Sequence, residues 1–339
     1  MDNLRRFIIV VSLILLFTFG ICGFFLASSF RDSTEETNTQ NLSFDLPTFD
    51  PNSNVEEETK IFHNNIILII GSCEKPETEL LMLMNIDSST SNINITYIPK
   101  DIRYVNYREN TISSIGSIMN SRVSMMPAYD ACGLYESILD ISIPYYIYFT
   151  EENFIDFMHT FAINGINFNI PVDLMYQDDN YNINLTKDTA IIKKDQILQF
   201  IQFYKTVDNS YRGEMLKYYD GTDAKRLEMC RQLFDAFMQQ TFINPTNQYF
   251  KLRFYDAFLP FLSKCETNIT SDVLSVIAPV FANVQDSNIR YFTLTGQEHF
   301  TDRYYILFDA DAEGSFVNMT DGSKFTATAG WKTYFPSNS

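Results

Sequence analysis

Apolar residues in this chain fall first into short unbroken runs and later into helical stripes. NIILIIG, Asn65 to Gly71, is apolar almost throughout and ends in glycine, which predicts a strand buried on both faces. LLMLMNI, Leu80 to Ile86, predicts a second strand. In the third, Ile93 to Ile98, the residues Ile93, Ile95 and Tyr97 alternate with Asn94, Thr96 and Ile98. Pro99 stops that strand, because it has no N–H to give to a ladder. Short polar connections join the three, so they are expected to lie side by side.

The rhythm then changes. Ala128 to Ile141 reads as a helix with Tyr129, Cys132, Leu134, Ile138 and Leu139 on its apolar stripe. A strand, Tyr145 to Phe149, and a helix, Glu151 to Phe161, follow, the helix with acids in its first turn where the dipole favours them. Ile166 to Ile170 is expected to be a strand, Lys193 to Tyr204 a helix, and Lys205 to Thr222 a polar loop. In a long helix, Asp223 to Thr241, the residues Leu227, Cys230, Phe234, Phe237 and Thr241 form the core stripe and Asp223 is the expected cap. Helices over Gln248 to Leu262 and Ser271 to Phe281 come next, then strands over Asn288 to Thr293 and Arg303 to Phe308. Residues after Asp309, and the segment 313–339 as a unit, read as an irregular tail. This alternation predicts an α/β fold, an α/β/α sandwich with a mixed central sheet, over residues 59–312.

The amino-terminal part follows other rules. No charge interrupts residues 7–30, a run longer than the roughly 20 residues that span a bilayer. Arg5 and Arg6 precede it, so the head, 1–6, is expected in the cytoplasm. The rival reading is a signal peptide cleaved near Ala27-Ser28-Ser29; the length of the run favours an uncleaved transmembrane helix. Residues 31–58 are rich in Ser, Thr, Asn, Asp and Glu and read as a polar extracellular stalk. The expected location is the cell membrane, single-pass, with the main domain extracytoplasmic.

With a net charge of −17 the chain is a poor partner for nucleic acid, which needs basic patches. Hydrophobic residues make up 45%, with 30 Phe and 20 Tyr, enough to fill a large core. The cysteines Cys22, Cys73, Cys132, Cys230 and Cys265 contain no CxxC pair, which argues against zinc. Outside the cell one or two disulfides, or none, fit this set.

Candidate chemistry sits where the third strand ends. Lys100 and Asp101 place a cation and a carboxylate at a strand's carboxyl end, where layered α/β folds bind ligands. A solvated turn is the bland alternative. Arg226, one turn into its helix, is either an exposed arginine or an ion pair with Asp223 at i, i+3.

The blocks NIILIIGS (Asn65–Ser72), LLMLMNID (Leu80–Asp87), ITYIPKDIRY (Ile95–Tyr104), IPYYIYFTEENF (Ile143–Phe154) and INGINFNIPVDLMYQD (Ile163–Asp178) follow one another in a familiar order. They continue through INLTKDTAIIKKDQILQFIQF (Ile183–Phe203), DAKRLEMCRQLFDAFM (Asp223–Met238) and ETNITSDVLSVIAP (Glu266–Pro279). In that series, behind one amino-terminal anchor, the chain resembles the LytR-CpsA-Psr proteins of bacterial cell envelopes. The resemblance implies an extracellular α/β/α domain with a hydrophobic tunnel for the polyprenyl tail of a lipid-linked glycan. It also implies an arginine-rich mouth for the pyrophosphate, and transfer of the glycopolymer to peptidoglycan, usually with Mg²⁺.

Carried over by resemblance, Asp101 and Arg226 take the catalytic places, and Lys100, Asp223 and Arg226 the substrate-binding ones. Glu79 is the candidate metal ligand, with a solvated acid as its bland alternative. The chain departs from the pattern at the mouth. The glycine-serine-aspartate motif is Gly71, Ser72, Cys73, and the arginine and aspartate before the second strand are Glu77 and Glu79. Lys100 replaces an arginine and so loses the bidentate fork. Gln202, Tyr204, Met229 and Cys230 stand where further arginines and a glutamine are expected. Lys205 and Arg212 are the nearest substitute cations in sequence. By the same resemblance Cys73 and Cys230 face one pocket, either as a disulfide or as small buried hydrophobes. These departures imply weakened or lost transfer, or a non-catalytic module that binds lipid or a partner protein.

Overall fold

The computed structural model describes residues 62–71, 79–106, 110–120, 128–204, 212–245, 249–298 and 304–336. The chain divides into Met1–Glu58 and Thr59–Ser339, and the described residues belong to the second unit. The expected transmembrane helix and stalk lie outside the described residues. Among the described residues, no helix is long and apolar enough to cross a membrane.

Eight strands share one mixed sheet. They are β1 (His63–Gly71), β2 (Leu80–Asp87), β3 (Asn92–Ile98), β4 (Tyr145–Thr150), β5 (Glu266–Thr267), β6 (Ile289–Leu294), β7 (Phe316–Asn318) and β8 (Lys324–Phe325). Their spatial order is β5-β4-β1-β2-β3-β6-β7-β8. β1–β2–β3 is an antiparallel meander, while β4 joins β1, and β6 joins β3, in parallel. The unbroken apolar runs have a simple cause: both faces of the central strands are covered. Ile66 and Ile70 of β1 enter one core, and Ile67 and Ile69 enter the other. Each such side chain contributes roughly 1.5–3 kcal/mol when fully buried.

Helices α2 (Glu151–Phe161), α3 (Asp195–Gln202), α4 (Asp223–Met238), α5 (Phe254–Leu262) and α6 (Ser271–Asn283) supply the first core. Helices α1 (Ala128–Leu139) and α7 (Ala327–Tyr334) supply the second. The α/β/α sandwich is therefore as the sequence predicts. Threonine opens four of these helices: Thr150, Thr222, Thr270 and Thr326 each accept an N–H from the first turn. Thr222, not Asp223, caps α4, which frees the Asp223 carboxylate for longer-range contacts.

Several boundaries move for local reasons. The helix expected from Lys193 begins at Asp195, because Lys194 sits in the left-handed region at φ 44°. α4 stops at Met238 and widens into a π-turn, Gln239–Ile243. The helix expected from Gln248 splits into a turn, Tyr249–Leu252, and α5. Of the strand expected at Ile166 to Ile170 only Ile166–Asn167 pairs, with Ile191–Ile192 and off the main sheet. Tyr305–Leu307 forms a separate hairpin with Gly296–Glu298.

The larger correction concerns 313–339. This segment is not an irregular tail: it supplies β7, β8 and α7. Phe316, Trp331 and Phe335 pack beneath the sheet, with Phe316 stacked on Phe292 at 4.9 Å. Three asparagines in cross-strand register, Asn65, Asn85 and Asn94, hold the end of α7. Their side-chain amides donate to the carbonyls of Phe335 (2.8 Å), Pro336 (3.1 Å) and Tyr334 (2.9 Å). These carbonyls belong to the helix end, which has no intrahelical donors left.

Candidate functional site

β3 ends at Ile98, and Pro99, Lys100 and Asp101 turn away from the sheet. The start of α4 lies against that turn. The Lys100 backbone N–H donates to Asp223 Oδ2 at 2.6 Å. The other oxygen, Oδ1, accepts Arg226 Nε at 2.6 Å. Arg226 Nη1 reaches the Glu79 carbonyl at 2.8 Å and the Ile201 carbonyl at 2.6 Å. One guanidinium thus ties the start of β2 and the end of α3 to the first turn of α4. Its Nη2 is buried and makes no hydrogen bond among the described residues.

The two cations are deeply placed: Arg226 is 1% exposed and Lys100 4%. Lys100 Nζ lies 3.3 Å from Asp101 Oδ1 and 4.7 Å from the centre of the Tyr204 ring. Burial opposes the Arg226 charge, but the Asp223 carboxylate outweighs it, and the guanidinium is held charged more firmly than usual. Burial also pushes the Cys230 thiol, one turn further along α4, up to about 12. It pushes the Tyr219 hydroxyl well above the ordinary tyrosine value.

The five residues singled out from the sequence, Glu79, Lys100, Asp101, Asp223 and Arg226, come from elements that meet at this one end of the sheet. The Asp223–Arg226 ion pair is present, in a buried rather than an exposed setting. Glu79 is buried and meets Arg226 through its main chain. Of the positions where arginines are expected, Tyr204 offers its ring to Lys100, and Gln202 donates to Glu151 Oε1 at 3.2 Å. Cys230 is a free, fully buried thiol, which fits the small buried hydrophobe. Cys73, Glu77 and Lys205 lie outside the described residues. The main-chain carbonyls of Glu79 and Ile201 were missed, and no side-chain pattern could have signalled them.

Among the described residues, no three His, Cys, Asp or Glu side chains gather to hold a metal ion. Asp223 has both oxygens engaged.

Behind the mouth, between the sheet and α2, α4, α5 and α6, lies a cavity of about 120 Å³. Ile66, Met84, Phe154, Phe237 and Phe281 are among the apolar side chains that line it, and Tyr97 is there too. Tyr97 precedes Lys100 by three residues, so cavity and mouth share β3. Paired rings narrow the space, as where Phe254 stacks on Phe281 at 4.2 Å. The cavity is on the scale of the ~150 Å³ apolar voids that take a benzene ring.

A sequence profile of the LytR_cpsA_psr family matches residues 28–320. The fold is similar to that of solved structures at low identity. TagV of B. subtilis is 15% identical, with 73% of this chain and 91% of that one covered at a TM-score of 0.51. A putative transcription regulator from Eubacterium siraeum is 15% identical, with coverages of 80% and 95% and a TM-score of 0.52. Protein gbs0355 from Streptococcus agalactiae is 17% identical, with coverages of 75% and 84% and a TM-score of 0.53. No curated protein matches the sequence.

Proposed function

Because the chain belongs to the LytR_cpsA_psr family, we propose that it is an envelope protein that holds the prenyl tail of a lipid-linked glycan while transferring the glycan slowly or not at all. Membership of the family supports a glycopolymer transferase-like role in the cell envelope. The weakened activity rests on one observation: the cations at the mouth are engaged within the fold. A pyrophosphate would have to draw Lys100 from Asp101 and Tyr204, and Arg226 from Asp223 and two carbonyls. Each hydrogen bond to a charged group given up costs about 1.5–3 kcal/mol. Phosphoryl transfer depends on fixed cations around the moving group, so an occupied mouth slows it.

In this reading Lys100, Asp101, Asp223 and Arg226 hold one another at the mouth, and a phosphate meets them only as far as those contacts give way. The apolar cavity takes the first part of the tail, at about 0.8 kcal/mol for each CH₂ buried. A longer tail requires the lining phenylalanines to move apart. Residues 7–30 anchor the protein in the membrane, with the domain outside the cell and peptidoglycan as the acceptor within reach.

The same observation favours a second reading, a regulatory module that binds lipid or a partner and has no transfer step. The test is transfer of a labelled glycan from a polyprenyl-pyrophosphate carrier to peptidoglycan, with and without Mg²⁺. The expected result is turnover far below that of an active family member run alongside. Comparable turnover would sink the proposal, and none at all would select the regulatory module.

A further inference from the structure

On the opposite face of the sheet from the prenyl cavity, a second hollow of about 390 Å³ lies between α1 and β4. That size is in the range of small-molecule sites, roughly 300–1,000 Å³. Tyr129, Asp130, Gly133 and Glu136 of α1 line one side, and Tyr146 and Asn268 the other. No lysine, arginine or histidine is among the described residues that line it.

Three features mark it as a built site. First, Tyr146 is only 7% exposed, yet its hydroxyl makes no hydrogen bond among the described residues and the side chain lines the hollow. Second, Gly133 stands in the interior of α1, where glycine costs about 1 kcal/mol relative to alanine. No close neighbour requires it, since a Cβ there would meet nothing within 4 Å. A side chain there would stand in open space at the hollow's edge. Third, the hollow offers acceptors but few donors. Asn268 donates one amide N–H to the Pro144 carbonyl and accepts the Tyr146 N–H, which leaves a single side-chain N–H over. Glu136 uses Oε1 on the Ile143 N–H at 2.5 Å, and its second oxygen has no hydrogen bond among the described residues. Asp130 adds another carboxylate, and Tyr129, 69% exposed, an open aromatic face.

Phosphate and other anions would be repelled here. A sugar would find few donors to meet its many hydroxyl oxygens, one Asn268 N–H and the Tyr146 hydroxyl. A primary ammonium matches the acceptors that dominate the hollow: it donates to carboxylates and a phenol oxygen, and it is attracted to an aromatic face. We infer that this hollow binds an aliphatic primary amine, through Asp130, Glu136, the Tyr146 hydroxyl and the Tyr129 ring. The inference goes beyond the proposed function and is independent of it, because none of these residues touches the mouth or the prenyl cavity.

The amine could belong to a lysine-type side chain in a peptide or to a free polyamine. The test is calorimetric titration of the full chain, in neutral detergent and low salt, with N-acetyl-lysine methylamide and separately with spermidine. Saturable binding of either is expected, and the tighter probe identifies the source. Two variants are run beside the wild type. Gly133→Leu fills the hollow with a better helix former, and Tyr146→Phe removes one hydroxyl while keeping the packing. Each is expected to weaken binding about tenfold or more, the usual effect of losing a hydrogen bond to a charged group. The inference is overturned if neither probe saturates below about 10 mM, or if either variant binds as tightly as the wild type.

Discussion

Asp223 and Arg226 form a buried ion pair at 2.6 Å, and the same carboxylate takes the Lys100 N–H through its other oxygen at 2.6 Å. The pair therefore works as a joint between the start of α4 and the end of β3, and what binds the joint is no longer free to bind a ligand. Truncating one partner leaves a buried charge alone. Arg226→Ala is expected to cost about 3–5 kcal/mol in urea unfolding. The double replacement Asp223→Leu with Arg226→Met is expected to cost clearly less than the sum of the two single changes.

The asparagine row predicts a second cost far from the mouth. Asn65 donates to the Ser142 and Phe335 carbonyls, each at 2.8 Å, and accepts from Asn85 at 2.9 Å. Asn65→Ala removes all three contacts and is expected to lose about 2–3 kcal/mol in the same assay. Asn94→Ala, which breaks one contact to Tyr334, is expected to lose about 1 kcal/mol.

Cys132 and Cys230 are each raised from 9.0 to about 12, by burial. Native protein at pH 8 is expected to leave both unalkylated by iodoacetamide, with full labelling after denaturation, read by mass spectrometry. Stability follows the same shift. Above pH 9 the unfolded thiols give up protons while the folded ones keep them, so the unfolded state binds fewer protons. The contribution of these thiols is complete below pH 9 and is lost as pH rises from about 9 to about 12.

Filling the apolar cavity separates its role from that of the mouth. Ile277 on α6 lines it, and Ile277→Phe is expected to cost stability by about 1–3 kcal/mol through overpacking. Binding of a prenyl alcohol, which carries no phosphate, is expected to fall with it, as measured by competition with a fluorescent lipid.

The sheet and most helices were legible because burial on both faces writes unbroken runs such as Ile66 to Ile70, and because stripes such as Leu227, Cys230, Phe234 and Phe237 recur at helical spacing. The carboxy-terminal strands were not legible. Phe316 to Asn318 and Lys324–Phe325 are too short to show a period, and the end of the helix that follows them is held by Asn65, Asn85 and Asn94, far away in sequence. The site was half legible. The pairing of Asp223 with Arg226 follows from helical spacing. The depth of that pair, and the carbonyls of Glu79 and Ile201 that complete it, depend on three elements meeting, which no local pattern encodes.

The most direct test of the account is native mass spectrometry of the full chain with a polyprenyl pyrophosphate, comparing wild type, Lys100→Ala and Ile277→Phe. If the mouth cations are engaged within the fold and the cavity does the holding, Lys100→Ala binds nearly as well as wild type and Ile277→Phe binds less. If Lys100→Ala abolishes binding while Ile277→Phe leaves it intact, the lysine grips the pyrophosphate and the account is wrong.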